Sequence, residues 1–271
     1  MKAYFCRLLP LVGLLLWTEA GQASELFSVD YPGATPLYQM NQTNGAASAV
    51  GPTGFDGIGD LTSDTRPATA TMWGVRIASN ELLEIDPLTG AAKSAATMNS
   101  PDDIVSLAFD VVTGKLFGNT SVAFGAPFEA LYEIDPTTGN TTFVGRILFD
   151  NVYALAFDQT GKLFGVSDAT DQLIQINTSN GNGSLVAGLA TSFAYDIASR
   201  PEDDVMFLAD SGTSSLYTLN TGTGNLTLVG PYGGSPNLVG LAFSPVPEPS
   251  TIALALVGLA GMGLLGRRRA R

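Results

Sequence analysis

Leu131-Tyr132-Glu133-Ile134-Asp135-Pro136-Thr137-Thr138-Gly139 is the stretch that the rest of the chain repeats. Variants of its first five residues start 45, 49, 42 and 43 residues apart, at Leu37, Leu82, Leu131, Leu173 and Leu216. Short strands that recur with a period in the forties are typical of β-propellers, in which each repeat forms a four-stranded blade. The repeat therefore predicts an all-β propeller.

Each copy continues through the same further elements. A turn that starts at Asp or Asn and ends at glycine follows the first strand, as in Asp135 to Gly139. Because such a side chain caps a turn and glycine accepts a positive φ, we interpret Asp86 and Asp135 as turn caps rather than metal ligands. A partner strand, an inner strand such as 104–110 and a further strand at 116–118 bring the total to four strands per repeat.

The two ends of the repeat array are complementary halves of one unit. Residues 26–30 match the third element of a repeat, whereas residues 238–243 match an inner strand with no blade after it. Pairing of these two segments would close the ring without exposed strand edges. We therefore expect a five-bladed β-propeller that is closed by its N- and C-terminal strands. Over Leu26 to Ser244 the chain resembles bacterial extracellular propellers, a resemblance that implies an architecture and not an activity.

The C-terminal residues form a three-part signal: Val246 to Ser250, an apolar run at 251–266, and four arginines among the last five residues. Sixteen helical residues span about 24 Å, slightly less than the roughly 30 Å hydrocarbon core. The arginines would hold the chain end on the cytoplasmic side. An ordinary C-terminal membrane anchor is the alternative interpretation.

This tail resembles the PEP-CTERM sorting tail of Gram-negative bacteria, and the match places the recognition motif at Pro247, Glu248 and Pro249. In that family an exosortase, an integral-membrane protease, recognises the motif and removes the tail during export. The resemblance implies an exosortase as partner, transient anchoring in the inner membrane through the tail, and final release to the cell surface or extracellular matrix.

The N-terminus predicts export as well. Lys2 and Arg7 precede an apolar core at 8–17, and small residues at 21–23 suit signal-peptide cleavage. We expect a signal peptide at 1–23, a propeller at 24–245 and a sorting tail at 246–271. The single cysteine, Cys6, lies in the signal peptide, so the mature protein would have no disulfide.

Composition excludes several functions. Without Lys2, Arg7, Glu19 and the four tail arginines, seven basic and 24 acidic residues remain, a net charge of about −17. Nucleic acids and anionic membranes are therefore unsuitable partners. The chain has no histidine, which excludes His-based acid–base catalysis, Ser-His-Asp systems and His-ligated metals. We expect no organic cofactor.

Alignment of the inner strands predicts where a ligand would bind. Acidic and amide residues precede these strands and would surround one mouth of the channel: Asp56, Asp102, Asp103, Asp150, Asn151 and Asn237. Three positions further in, Asp60 and Asp196 lie where blades crowd the axis. A charge there must be solvated, paired or metal-bound, so Ca²⁺ held by these two residues is one hypothesis and simple hydration is the other.

Three function classes remain open. A non-catalytic matrix or adhesion module that binds exopolysaccharide is the first choice, since the repeats are regular and no blade carries a clear catalytic insertion. A carboxylate-based glycan-active enzyme would need Asp60 paired with Asp196 or Asp103 at about 5 to 9.5 Å. A scaffold for protein partners would use segments 62–71 and 121–129, which depart from the repeat.

Overall fold

The computed structural model describes residues 24–245 except Pro67, Ser192, Ser235 and Pro236. The predicted signal peptide, the sorting helix and the motif at Pro247, Glu248 and Pro249 lie outside this range. Within it, no helix is long and apolar enough to cross a membrane. Twenty strands and two single-turn 3-10 helices, at Ile77–Ser79 and Val122–Phe124, form the described part.

The strands form five four-stranded antiparallel sheets, as the repeat predicts. Blade 1 contains β20 (Leu238–Pro245), β1 (Ser24–Asp30), β2 (Ala34–Met40) and β3 (Ala47–Asp56). Blade 2 contains β4 (Ile58–Asp64), β5 (Thr71–Arg76), β6 (Glu81–Ile85) and β7 (Ala92–Thr97). Blade 3 contains β8 (Ile104–Asp110), β9 (Lys115–Thr120), β10 (Ala130–Ile134) and β11 (Thr141–Arg146). Blade 4 contains β12 (Val152–Phe157), β13 (Leu163–Ser167), β14 (Gln172–Ile176) and β15 (Gly183–Gly188). Blade 5 contains β16 (Ala194–Ser199), β17 (Met206–Asp210), β18 (Ser215–Leu219) and β19 (Leu226–Pro231).

The ring closes in blade 1, where the first strand of the described chain pairs with the last. β1 and β20 run antiparallel, with Leu26 opposite Phe243 and Ser28 opposite Leu241. β4, β8, β12, β16 and β20 are the innermost strands of their blades, and each contacts the next around the axis. The predicted closure by the two chain ends is confirmed.

The hydrophobic core lies between blades rather than at one centre. Five buried clusters fill the five inter-blade spaces. Between blades 2 and 3, for example, Trp73 packs on Phe109 with ring centroids 5.2 Å apart. Each blade therefore buries both faces against its neighbours, which explains why the inner strands are apolar on both sides.

The turns after the third strands are capped as predicted. The Asp135 Oδ1 accepts hydrogen bonds from the Thr137 amide at 2.9 Å and the Thr137 hydroxyl at 2.7 Å. Asp86 accepts from the Leu88 amide at 2.9 Å. Gly139, with φ of 75°, closes the turn. The interpretation of Asp86 and Asp135 as structural caps is confirmed.

A β-bulge near the start of the inner strands determines what faces the channel. In blades 2 to 5 the pairing of the inner strand skips one residue, at Gly59, Val105, Tyr153 and Tyr195. A bulge breaks the ladder locally and redirects side chains and amides. Here the skipped residues lie at the mouth of the channel, and the residues that follow them in sequence lie one layer further in.

Candidate functional site

Two carboxyl groups meet on the axis of the propeller. Asp60 on β4 and Asp196 on β16 occupy the position after the bulge, and the equivalent residues of the other blades are Ser106, Ala154 and Gly240. Asp60 is 1% exposed and Asp196 is 0% exposed. Both lie near the axis, where the sequence places them, and both side chains are buried.

Each carboxylate joins its own inner strand to the next one. The Asp60 Oδ1 accepts from the Leu61 amide at 2.6 Å, and its Oδ2 accepts from the Leu107 amide of β8 at 2.7 Å. Asp196 repeats this arrangement, with the Ile197 amide at 2.7 Å and the Leu241 amide of β20 as donors. Four backbone donors are thus satisfied by two side chains, which offsets part of the cost of burying them.

The two carboxyl groups also contact each other through a hydrogen bond. Gly240 lies on β20, between β16 and β4, and allows a close approach to β4, because a Cβ there would come within 2.6 Å of the Leu61 nitrogen. Burial raises the pKa of Asp60 to about 7. Burial, and then the charge of Asp60, raises the pKa of Asp196 well above its ordinary value. Two carboxylates in contact cannot both ionise cheaply, so the pair holds a shared proton at neutral pH.

The pair supplies few ligands for a metal ion. All four oxygens already accept backbone hydrogen bonds, and residues 24–245, as far as the structure describes them, contain no cluster of three or more potential His, Cys, Asp or Glu ligands. Ca²⁺ takes six to eight oxygens. The calcium site at Asp60 and Asp196 stays a prediction.

The geometry of this pair differs from that of a glycosidase. Retaining enzymes separate their two carboxyl groups by about 5 Å and inverting enzymes by more, so that a sugar or a water fits between them. The Asp60 and Asp196 groups are in direct contact and closed to solvent. Asp103, the other partner considered for Asp60, precedes β8 and is half-buried.

The six residues predicted at the mouth lie at that end of the propeller, but they do not form one cluster. Asp56 is paired with Arg76 and Asp150 is exposed. The Asn151 amide donates to the Glu129 Oε1 at 2.7 Å. Asp102 and Asp103 are half-buried, and burial, with the charge of Asp102, raises the pKa of Asp103. Asn237 lines the axial cavity, and its Nδ2 donates to the Tyr31 carbonyl at 3.1 Å.

The axial cavity at this end is aromatic. It has a volume of about 110 Å³, and the bulge-position residues of the inner strands contribute to its wall. Its aromatic lining consists of Tyr31, Phe124, Tyr153 and Tyr195. We call this cavity the aromatic mouth. Because the Asp60–Asp196 pair lies one position further along the inner strands, it forms the layer beneath the mouth.

Four rings form a continuous row beside this cavity. Phe124 meets Tyr153 edge to face at 6.1 Å, Tyr153 stacks on Tyr195 at 5.7 Å, and Tyr195 stacks on Phe193 at 6.4 Å. Phe124 is 40% exposed and Phe193 is 50% exposed. We call these four residues the aromatic row. It presents apolar ring surface to solvent at both ends.

The departure from the repeat at 121–129 positions Phe124. Glu129, which is 3% exposed, holds this loop: its Oε1 accepts from the Ser121 hydroxyl at 2.8 Å and the Val122 amide at 3.1 Å. The same oxygen accepts from Asn151, the first residue of the segment that leads into β12. Burial raises the pKa of Glu129. The loop therefore folds over the mouth instead of extending away from it.

Sequence reasoning missed the aromatic mouth. The available signal is the bulge position, where Tyr153 and Tyr195 stand in place of the smaller Gly59, Val105 and Val239. Two consecutive blades with tyrosine there predict adjacent rings on the axis. An alignment that considers only the polar residues of the inner strands and of the loops before them does not reveal these adjacent rings.

The comparisons with known proteins concern the tail and the fold separately. Residues 245–269 match the PEP-CTERM protein-sorting motif, so the chain carries this export signal at its C-terminus. No curated protein matches the chain.

Many solved structures resemble the propeller, including the following two. One is a chain in the crystal structure of a nidogen/laminin complex, with 10% identity and a TM-score of 0.59, covering 82% of this chain and 98% of that chain. The other is a symmetrical protein whose de novo evolutionary emergence is described as shaped by folding constraints, with 19% identity and a TM-score of 0.52, covering 83% and 100%. At such identities the likeness shows the fold alone.

Proposed function

We propose that this protein, which is exported and processed through its PEP-CTERM motif, acts at the cell surface or in the extracellular matrix as a non-catalytic module. Its ligand is a glycan, such as exopolysaccharide, that binds over the aromatic mouth. The observation that carries the proposal is the row of four rings beside an axial cavity, with two phenylalanines half exposed.

The chemistry of the aromatic mouth suits a sugar. Exposed aromatic rings gain from contact with the C–H faces of a pyranose, and tyrosine adds hydroxyl groups for polar contacts. Residues 24–245 contain seven basic and 23 acidic residues, and this net charge of about −16 disfavours polyanionic glycans. A neutral or cationic polysaccharide is the ligand that fits both features.

A protein scaffold is a second candidate, favoured by a different observation. Phe143, Leu185 and Leu228 occupy the same position on the outer strands of blades 3, 4 and 5, and each is 52–58% exposed. Blades 1 and 2 have Ala49 and Ser94 there. Exposed apolar side chains on the outer strands of three consecutive blades, which we call the rim, would suit a protein partner.

Binding of the exported protein to a panel of neutral, amino-containing and anionic polysaccharides tests the first proposal. We expect Phe193→Ser to weaken glycan binding at least tenfold, because it removes an exposed end of the aromatic row. Phe143→Ser is the matched control, since it removes an equally exposed phenylalanine from the rim. No binding to any glycan, or equal binding by both variants, would overturn the proposal. Loss of glycan binding with Phe143→Ser alone would place the glycan on the outer strands and would overturn it as well.

A further inference from the structure

We infer that the aromatic mouth recognises the ammonium group of an amino sugar, so that the preferred ligand is a glycan with unacetylated hexosamine units. This inference rests on the proposed glycan-binding function and specifies the ligand class of the same site. Three properties of the site carry it: the size of the cavity, the charge around it and the position of one carboxylate.

The cavity is too small for a whole sugar ring. A cavity of about 150 Å³ in another protein accommodates benzene, whereas the aromatic mouth measures about 110 Å³. A pyranose with its hydroxyl groups exceeds benzene in size. A ring must therefore rest on the exposed surfaces of Phe124 and Phe193 while one small substituent enters the cavity. A primary ammonium group is a smaller substituent than an acetamido group.

The charges at this end of the propeller favour a cation. Among the described residues, two basic side chains lie at the strand ends and loops around the mouth, and both are engaged. Arg76 pairs with Asp56 and Glu81, and the Arg146 guanidinium lies 3.8 Å from the Phe128 ring centroid. Ten acidic residues lie at the same end: Asp30, Asp56, Glu81, Asp102, Asp103, Glu129, Asp150, Asp168, Asp171 and Asp210.

One of these carboxylates is placed to act directly on the mouth. Asp168 follows β13 and is half-buried, and its backbone amide donates to the Asn151 carbonyl at 2.9 Å, which places it beside the segment that leads into Tyr153. Its charge acts on both cavity tyrosines: after burial, it is the next cause that raises the pKa of Tyr153 and of Tyr195. An ammonium group in the mouth would lie among electron-rich ring faces and within the field of this carboxylate. An acetamido group gains neither interaction, and a carboxylate is repelled.

Calorimetry with a matched ligand pair tests the inference: a β-1,4-linked glucosamine tetramer and its fully N-acetylated counterpart, titrated into the exported protein. We expect at least tenfold tighter binding of the amine form, with an affinity that falls as salt is raised. Asp168→Asn should reduce the preference while leaving the N-acetylated ligand unaffected. Phe193→Ser, an exposed change, should weaken both ligands.

Glu84→Gln is the matched charge control, since it removes the same charge from an exposed side chain on the opposite end of blade 2. Equal loss of amine binding in Glu84→Gln and Asp168→Asn would mean general charge attraction and would overturn the inference. Equal or tighter binding of the N-acetylated tetramer would also overturn it, but would leave the proposed function in place. Failure of both tetramers and of every polysaccharide in the panel would overturn both.

Discussion

At the scale of single residues, Asp60 and Asp196 are the two positions where carboxyl groups replace the small side chains of the other inner strands. Their carboxyl oxygens accept four backbone amides and contact each other in a site closed to solvent. The folded protein therefore retains a proton that an unfolded chain would release above about pH 4. This makes the pair a source of pH-dependent stability.

We expect the free energy of unfolding to fall as pH rises from about 4 to about 7. The folded pKa of Asp60, about 7, exceeds its ordinary value, as does that of Asp196. The stability linked to these groups is thus complete below the unfolded pKa and is lost as pH rises through the folded pKa. Each extra proton held by the folded state contributes a slope of about 1.4 kcal/mol per pH unit. Urea unfolding at several pH values measures the slope of the free energy of unfolding against pH.

Asp196→Asn should reduce this slope by the contribution of one bound proton, about 1.4 kcal/mol per pH unit. The reason is that the amide of the variant supplies the hydrogen that the two carboxyl groups otherwise share. Glu129, whose pKa is also raised by burial, would keep a smaller slope of the same sign. Asp150→Asn serves as the control, since it removes a charge from an exposed loop residue. An unchanged slope in Asp196→Asn would contradict the assignment.

Gly139 illustrates a second residue-level constraint. Its φ is 75°, and a Cβ would overlap the Thr97 carbonyl of the preceding blade. Gly139→Ala should therefore cost roughly 2–5 kcal/mol, combining backbone strain with a displaced blade. Gly54 has a similar φ of 81° with nothing within 4 Å, so Gly54→Ala should cost about 1–2 kcal/mol. Equal costs in denaturant unfolding would mean that the inter-blade contact contributes nothing.

At the scale of elements, the loop 121–129 departs from the repeat and covers the aromatic mouth. One buried carboxylate, Glu129, receives donors from both ends of this region, from Ser121 and Val122 on the loop and from Asn151 ahead of β12. The loop is thus fixed by hydrogen bonds to one buried side chain, although it forms no ladder of its own. Its length brings Phe124 against Tyr153.

Glu129→Ala should destabilise the protein by about 3 kcal/mol, because it leaves several buried donors without their acceptor. It should also weaken glycan binding, since Phe124 loses its fixed position. Glu133→Ala is the control in the same blade: Glu133 is 39% exposed and paired with Lys115, so its loss should cost under about 1 kcal/mol. Thermal and urea unfolding check the stabilities, and a Glu129→Ala protein of unchanged stability would contradict this account.

At the scale of the whole molecule, the protein combines a closed ring with a linear export signal. The ring is sealed by pairing of β1 with β20, and β20 ends at Pro245, where the PEP-CTERM match at 245–269 begins. In the sequence, the Pro-Glu-Pro motif at 247–249 therefore follows the inner strand of blade 1 directly.

Glu248→Ala should block removal of the sorting tail, because it changes the centre of the Pro-Glu-Pro motif at 247–249. The unprocessed chain should remain in the membrane fraction and run larger on a denaturing gel than the exported protein. Ser250→Ala, which leaves the three motif residues intact, should be processed normally. Normal processing of Glu248→Ala would mean that this glutamate is dispensable for recognition.

The sequence by itself determined the blade number, the shared closing blade, the turn caps and the sorting motif. These features depend on residues close in the chain or on a regular period. Asp135 caps its own turn, for instance, and the half-repeats at 26–30 and 238–243 complete each other. A linear motif such as Pro247 to Pro249 needs no fold in order to be read.

Only the tertiary structure decided which side chains meet on the axis. Asp60 and Asp196 belong to non-neighbouring inner strands, with β20 between them, and their carboxyl groups nevertheless contact each other. The aromatic row likewise joins residues of blades 3, 4 and 5 through bulges that turn Tyr153 and Tyr195 toward the mouth. Periodicity specifies which residues begin a strand, but contacts across a channel depend on how the blades close around it.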